Sequence, residues 1–252
     1  MSDIFIDDNG SGYPLVLVHG FLGSSDMWLP QTKFFKGFFR VLAPALPGFG
    51  KSKTVKPCDS IECMAIAILE SLELKKIGKF NLLGHSMGGM IAQEMTRLAG
   101  EKISKLICYG TGPRGNIPGR FETIDQSREK LKTNGLESTA YRIAKTWFVE
   151  EDKAKYFYLC EEARKLTSIE AADSGLVAMK NWNGVDNLKN IKNKTLIIWG
   201  DQDKAYNYNQ VETLNNNIPN SELKIIVKCS HNAHLERPDE FNEIVVEFLR
   251  GG

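Results

Sequence analysis

Residues 82–93 read LLGHSMGGMIAQ. Ser86 stands among glycines, after one apolar run and before another. Phe80, Leu82 and Leu83 predict a short strand. Met90, Ile91, Met95 and Leu98 share one face of a helix, and Gly100 suits its end. A chain that passes from strand to helix over so few residues turns sharply. The residue at the apex takes strained backbone angles, and its hydroxyl stands above the sheet. Gly84 and Gly88 lie two residues either side, where a Cβ would crowd the turn, and Gly89 lets the helix approach the sheet. The G-x-S-x-G spacing is common by chance; the strand before it and the helix after it make it an elbow.

The same alternation runs outward along the chain. LVLVH (15–19), VLAP (41–44), FNLLG (80–84), KLICYG (105–110), TLIIWG (195–200) and LKIIV (223–227) are short apolar runs with helical patterns between them. Continuous apolar strands separated by helices predict an α/β fold, with a mostly parallel sheet covered on both faces. Pro238 opens a last helix whose stripe is Phe241, Ile244, Val245, Phe248 and Leu249.

Between residues 112 and 184 the strand signal disappears. Phe121, Ile124 and Leu131 suggest a helix closed by Gly135. Ala140, Ile143, Ala144, Trp147 and Phe148 suggest a second; Ile169, Ala172, Leu176 and Met179 suggest a third, behind a capping Ser168. The expected division is a core over 1–111, an all-helical cap over 112–184 and the rest of the core over 185–252. A cap over the carboxyl ends of the strands is placed to line a pocket. Trp147, Phe148 and Trp182, with Tyr156, Phe157 and Tyr158, are the aromatic candidates; plain core packing is the alternative for each ring. Arg114, Arg120 and Arg142 lie in the same insertion, with no direction fixed by sequence.

Composition narrows the function. The 252 residues are 42% apolar and 25% charged, as in an ordinary globular chain. The 32 basic and 31 acidic residues leave a net charge of +1, which favours neither nucleic acid nor an anionic membrane. No apolar stretch approaches the roughly 20 residues that span a bilayer. MSDIFIDDNGSG at the N-terminus is acidic and lacks an apolar signal core, so a cytoplasmic location is expected. The five cysteines, Cys58, Cys63, Cys108, Cys160 and Cys229, are odd in number and form no C-x-x-C, which predicts reduced thiols. Asn193-Lys194-Thr195 is read as a chance sequon. There is no Walker loop, no G-x-G-x-x-G after a strand and no cysteine–histidine metal spacing, so no cofactor or metal is expected.

A serine hydroxyl attacks at neutral pH only with a base in reach and a third group to orient that base. There are four histidines. His19 ends a strand in HGFLGS, and His85 flanks the serine; neither is placed as the base. His231 and His234 lie in CSHNAHLERPDEF, after the last strand, level with the elbow. TLIIWGDQD offers Asp201 and Asp203 at another strand end; a polar turn in which Asp201 binds backbone amides is the plainer alternative. The oxyanion donors in such a site are backbone amides, here those of Met87 and Phe21.

The order Ser, Asp, His is that of the α/β-hydrolases. LVLVHGFLGSSDMW, LAPALPGFGKS, LLGHSMGGMIAQ, TLIIWGDQDK and SHNAHLERPDEF together resemble that superfamily, in its capped serine carboxylesterase and enol-lactonase branch, from about residue 13 to 249. The pattern W-G-x-x-D puts the acid on Asp203. The pattern G-H-x-x-x-x-E-x-P puts the base on His231, followed by Glu236 and Pro238, with Ser230 in place of the usual glycine; His234 becomes either a residue that supports the site from behind or a packing residue. The resemblance implies a serine esterase acting on a small-molecule ester with a small to medium apolar acyl group, as a monomer or small homo-oligomer. The family's C–C bond hydrolases commonly carry Asn before the serine, where this chain has His85. Cys229 does occur among them, so a C–C hydrolase or a lactonase is the alternative. A slow ligand-sensing receptor is a third reading of the fold, against which the complete triad stands.

Overall fold

The computed structural model describes residues 3–251. Residues 1, 2 and 252, included in the expected domain bounds, lie outside the described residues. Seven strands form one sheet: β1 (Ile6–Asn9), β2 (Pro14–Val18), β3 (Arg40–Pro44), β4 (Phe80–His85), β5 (Ile103–Tyr109), β6 (Lys194–Gly200) and β7 (Ser221–Ile226), in the order β1-β3-β2-β4-β5-β6-β7. Every neighbouring pair is parallel except β1 with β3. The central strand β4 is buried throughout. The edge strand β7 exposes Glu222, Lys224 and Ile225, so the expected cover on both faces fails there. β1 was not legible: IDDN is short and acidic, and only its pairing with β3 makes it a strand.

The helices are α1 (Leu29–Phe35), α2 (Ile61–Leu74), α3 (Met87–Ala99), α4 (Ile124–Lys145), α5 (Phe157–Lys165), α6 (Ile169–Asn181), α7 (Tyr208–Asn217), α8 (Ala233–Glu236) and α9 (Pro238–Arg250). α2 and α3 bury Met64, Ile68, Met90, Ile91 and Met95 on one face of the sheet. α1 and α9 bury Phe35, Phe241, Val245 and Phe248 on the other. None of the described helices is long and apolar enough to cross a membrane.

The helical insertion between β5 and β6 holds α4, α5 and α6. The two helices expected either side of Gly135 are present within α4, where Gly135 leaves the helical conformation at φ 78°, ψ 172° and divides them. Trp147 and Phe148 fall just beyond α4 rather than on its stripe. Thr123 and Gln126 form a reciprocal capping box, and the Ser168 hydroxyl accepts from the Ala171 N–H at 3.0 Å. The two ends of the insertion meet. The Gly115 N–H donates to the Trp182 carbonyl at 3.2 Å, and the Gly184 N–H donates to that of Pro113 at 2.8 Å.

The expectation of five reduced thiols is corrected: Cys58 and Cys63 are disulfide-bonded. The Ser60 hydroxyl caps α2 by accepting from the Cys63 N–H, and this turn brings the two Cα atoms to 5.8 Å. An odd cysteine count does not reveal such a local reversal. Cys108, Cys160 and Cys229 are free and buried.

At the elbow a Cβ on Gly84 would overlap the carbonyl of Gly88, and one on Gly88 would overlap that of Val18 in β2. Gly88→Ala therefore costs about 3 kcal/mol or more, because backbone cannot yield as a flexible side chain does. Gly78, with nothing within 4 Å of its Cβ position, accepts alanine with a change of less than about 1 kcal/mol. Urea unfolding of the two variants measures the contrast.

Candidate active site

Ser86 lies between β4 and α3 at φ 57°, ψ −119°, an angle pair that L-residues seldom adopt. Its surroundings hold it there. Its N–H donates to the Tyr109 carbonyl at 2.9 Å, and its carbonyl accepts from the Thr111 hydroxyl at 2.8 Å and the Gly89 N–H at 2.9 Å. The expected close approach at Gly89 is to Thr111, whose side chain fills the space of a Cβ there.

Asp203 and His231 come together from the loops after β6 and β7. The Asp203 Oδ2 is 2.8 Å from His231 Nδ1. Its Oδ1 accepts from the N–H groups of Ala205 at 2.7 Å and Tyr206 at 3.1 Å, so both oxygens are engaged. A proton on Nδ1 leaves Nε2 as the imidazole's basic lone pair. Asp201 is turned elsewhere, its Oδ1 accepting from the Cys229 N–H at 3.2 Å. His234 does not contact Asp203; it packs on the Trp28 ring at 4.8 Å.

Ser86 and His231 line one cavity with His19, Gly20, Phe21 and Trp147. Its free volume is about 10 Å³, room for about one water. Phe21 follows β2 and packs its ring on Phe49, while Met87 is the first residue of α3 and fully buried. Of the three aromatic pocket candidates, Trp147 lines this cavity, with its ring 6.1 Å from that of His231. Phe148 and Trp182 do not. Phe148 is buried against Phe157, and the Trp182 indole N–H donates to Glu94 Oε2 at 3.2 Å. Among the described residues, no cluster of three or more histidine, cysteine or acidic side chains is arranged to hold a metal.

The His231 backbone is held from two sides. Its carbonyl accepts from the Tyr109 hydroxyl at 2.7 Å and from His85 Nε2–H at 3.1 Å. The Glu236 carboxylate accepts from the Ser230 N–H at 2.7 Å and, in the helical insertion, from the Val149 N–H at 2.6 Å. The Asn232 N–H donates to the Trp147 carbonyl at 2.9 Å. Ser230, in the place of the pattern's glycine, has no left-handed backbone angle, and its hydroxyl lies 3.3 Å from the carbonyls of Thr146 and Gln202. His19 ties its own loop to the end of β3. Its Nδ1–H donates to the Gly20 carbonyl at 2.8 Å, and its Nε2 accepts from the Leu46 N–H at 3.0 Å. Sequence reasoning missed Tyr109, Thr111 and Tyr206. The one signal for Tyr109 was a polar-tipped residue closing the apolar run KLICYG.

Comparison with known proteins bears on this geometry. A family model described as alpha/beta hydrolase fold matches residues 13–238. The chain is 25% identical to 2-hydroxy-6-oxononadienedioate/2-hydroxy-6-oxononatrienedioate hydrolase of Comamonas testosteroni, over 99% of this chain and 92% of that one. An esterase from Exiguobacterium antarcticum has a TM-score of 0.89 and 26% identity, covering 98% of this chain and 96% of its own. A thermophilic esterase from Thermogutta terrifontis has a TM-score of 0.87 and 26% identity, covering 98% and 93%.

Three buried imidazoles make stability depend on pH. Burial holds His19 down to about 4 and His234 down to about 3. Burial, with His231 and His234 nearby, holds His85 well below its ordinary value. In the unfolded chain each titrates near 6.5, so below that pH unfolding takes up protons. Their contribution is complete above about pH 6.5 and is lost as the pH falls from there towards about 4. Each accounts for a slope of about 1.4 kcal/mol per pH unit once the unfolded imidazole is charged. Urea unfolding between about pH 7 and 5 is expected to show this fall. His234→Gln should reduce the slope by one such increment.

Proposed function

The chain belongs to the α/β-hydrolase family, and we propose that within it the protein is a serine hydrolase of carboxylic esters, acting through an acyl-enzyme. The observation that carries this reading is the 2.8 Å Asp203–His231 hydrogen bond beside a cavity shared with the strained Ser86. Ser86 Oγ attacks the acyl carbonyl while His231 Nε2 takes its proton. Asp203 holds the ring in the required tautomer and stabilises the imidazolium. The N–H groups of Phe21 and Met87 receive the oxyanion, each stabilising it by about 3–4 kcal/mol. The imidazolium returns the proton to the departing alcohol. Water, activated by the same base, then releases the acid.

The small free volume beside Ser86 favours compact acyl groups, and a larger one requires Trp147 to move. A small to medium apolar acyl group fits this site better than a long chain. A second reading is C–C bond cleavage, supported by the named activity of the Comamonas testosteroni relative. It would use the same Ser86, His231 and Asp203.

A p-nitrophenyl ester series from acetyl to dodecanoyl tests the first reading, with best turnover expected at the short end. Ser86→Ala should lower turnover by about 10⁶ if the three side chains act as a unit. A folded wild type that cleaves a vinylogous diketone and no ester overturns the esterase reading in favour of C–C hydrolysis. Ligand-induced thermal stabilisation without turnover of either substrate would mark a receptor.

A further inference from the structure

Tyr206, three residues beyond Asp203, reaches further into the site than its place in the loop suggests. Its backbone is fixed at both ends: its N–H donates to Asp203 Oδ1 at 3.1 Å, and its carbonyl accepts from the Trp199 indole N–H at 2.9 Å. The side chain is buried. Its ring lies nearly parallel to that of His231, with centroids 5.6 Å apart and planes 16° from each other. At the far end of the ring, the phenol lies near enough to the Ser86 side chain to interact with it. One residue thus spans the acid, the base and the nucleophile.

The direction of approach limits its role. Ser86 follows β4, and the Gly20–Phe21 backbone follows β2 on one side of it. Tyr206 follows β6, on the opposite side, and its ring borders Gly112 in the loop after β5. The phenol therefore does not join the oxyanion amides. It lies on the side from which His231 serves the nucleophile, where the leaving group of a bound ester departs. Burial pushes the phenol up to about 12, so at neutral pH it is a hydrogen-bond donor and not a base.

We infer that Tyr206 is a further catalytic residue, whose hydroxyl binds the leaving-group oxygen of the ester and suits the site to alkyl esters and lactones, whose alkoxides leave poorly. This inference rests on the esterase reading above. As the tetrahedral intermediate collapses, the C–O bond to the leaving group breaks and its electron pair stays on that oxygen. His231 Nε2–H delivers the proton there. Tyr206 keeps its own proton and donates only a hydrogen bond, which strengthens as charge develops on the oxygen.

Tyr206→Phe removes the hydroxyl and keeps the ring on His231. The test compares an ethyl ester with a p-nitrophenyl ester of the same acyl group, since p-nitrophenolate needs little help to leave. The expected loss in kcat/KM on the ethyl ester exceeds that on the p-nitrophenyl ester by about tenfold or more. Equal losses on the two esters, or no loss on either, overturn the inference and leave the esterase reading intact. A wild type that hydrolyses neither ester removes both. Should Tyr206→Phe fail to fold, the wild type decides the matter through a series of alkyl and aryl leaving groups. A shallow dependence of kcat/KM on leaving-group basicity supports the inference, and a dependence as steep as that of hydroxide overturns it.

Discussion

Ser86 sits where backbone from four segments of the chain comes too close for side chains. The end of β4, the start of α3, the end of β2 and the loop after β5 all meet there. Gly84, Gly88 and Gly89 are glycines because carbonyls and Thr111 already fill the volume of a Cβ. The same crowding forces Ser86 to a positive φ and raises its hydroxyl above the sheet. It also sets how near the β2 loop comes, since a Cβ on Gly20 would lie 3.0 Å from that of Ser86. The height of the Ser86 hydroxyl and the nearness of the Phe21 backbone are thus one steric result.

Around this point the protein has gathered imidazoles, and burial disfavours charge on His19, His85 and His234. The ring of His85 is 4.6 Å from that of His231. Two like charges at that separation would oppose each other by about 3–4 kcal/mol at an effective dielectric of about 20. An imidazolium formed on His231 during turnover would feel that opposition in full if His85 were protonated. Burial keeps His85 neutral, so it meets His231 only as a hydrogen-bond donor to its carbonyl. Tyr109 does the same from the other side.

The sheet and the strained turn at Ser86 were legible because they rest on local chemistry. Apolar runs marked all the parallel strands, and the glycines around Ser86 announced a steric demand that the chain had to meet. The choice between Asp201 and Asp203, or His231 and His234, did not follow from spacing, since each pair lies within one loop; the motif resemblance made it. Other features depend on contacts between distant segments. β1 exists through its pairing with β3. The Tyr109 and His85 bonds to the His231 carbonyl span more than a hundred residues. Tyr206 was overlooked because nothing in DKAYN marks a tyrosine that folds back over a histidine 25 positions later. Trp147, Phe148 and Trp182 had the same apolar signature, yet only Trp147 reaches the cavity. Apolar periodicity tells which rings are buried and not against what.

The paired carbonyl bonds between residues 113–115 and 182–184 give the helical insertion a closed neck. Closing a flexible loop of that length costs entropy that grows only slowly with its size. With the neck bonded, β5 and β6 see a fixed separation whatever lies beyond it. The insertion is therefore a cassette: its helices can lengthen, shorten or be exchanged while the strands that carry Ser86, Asp203 and His231 keep their register. Residues 146–149, which bond the His231 loop, are the part of the cassette that such exchange would have to keep.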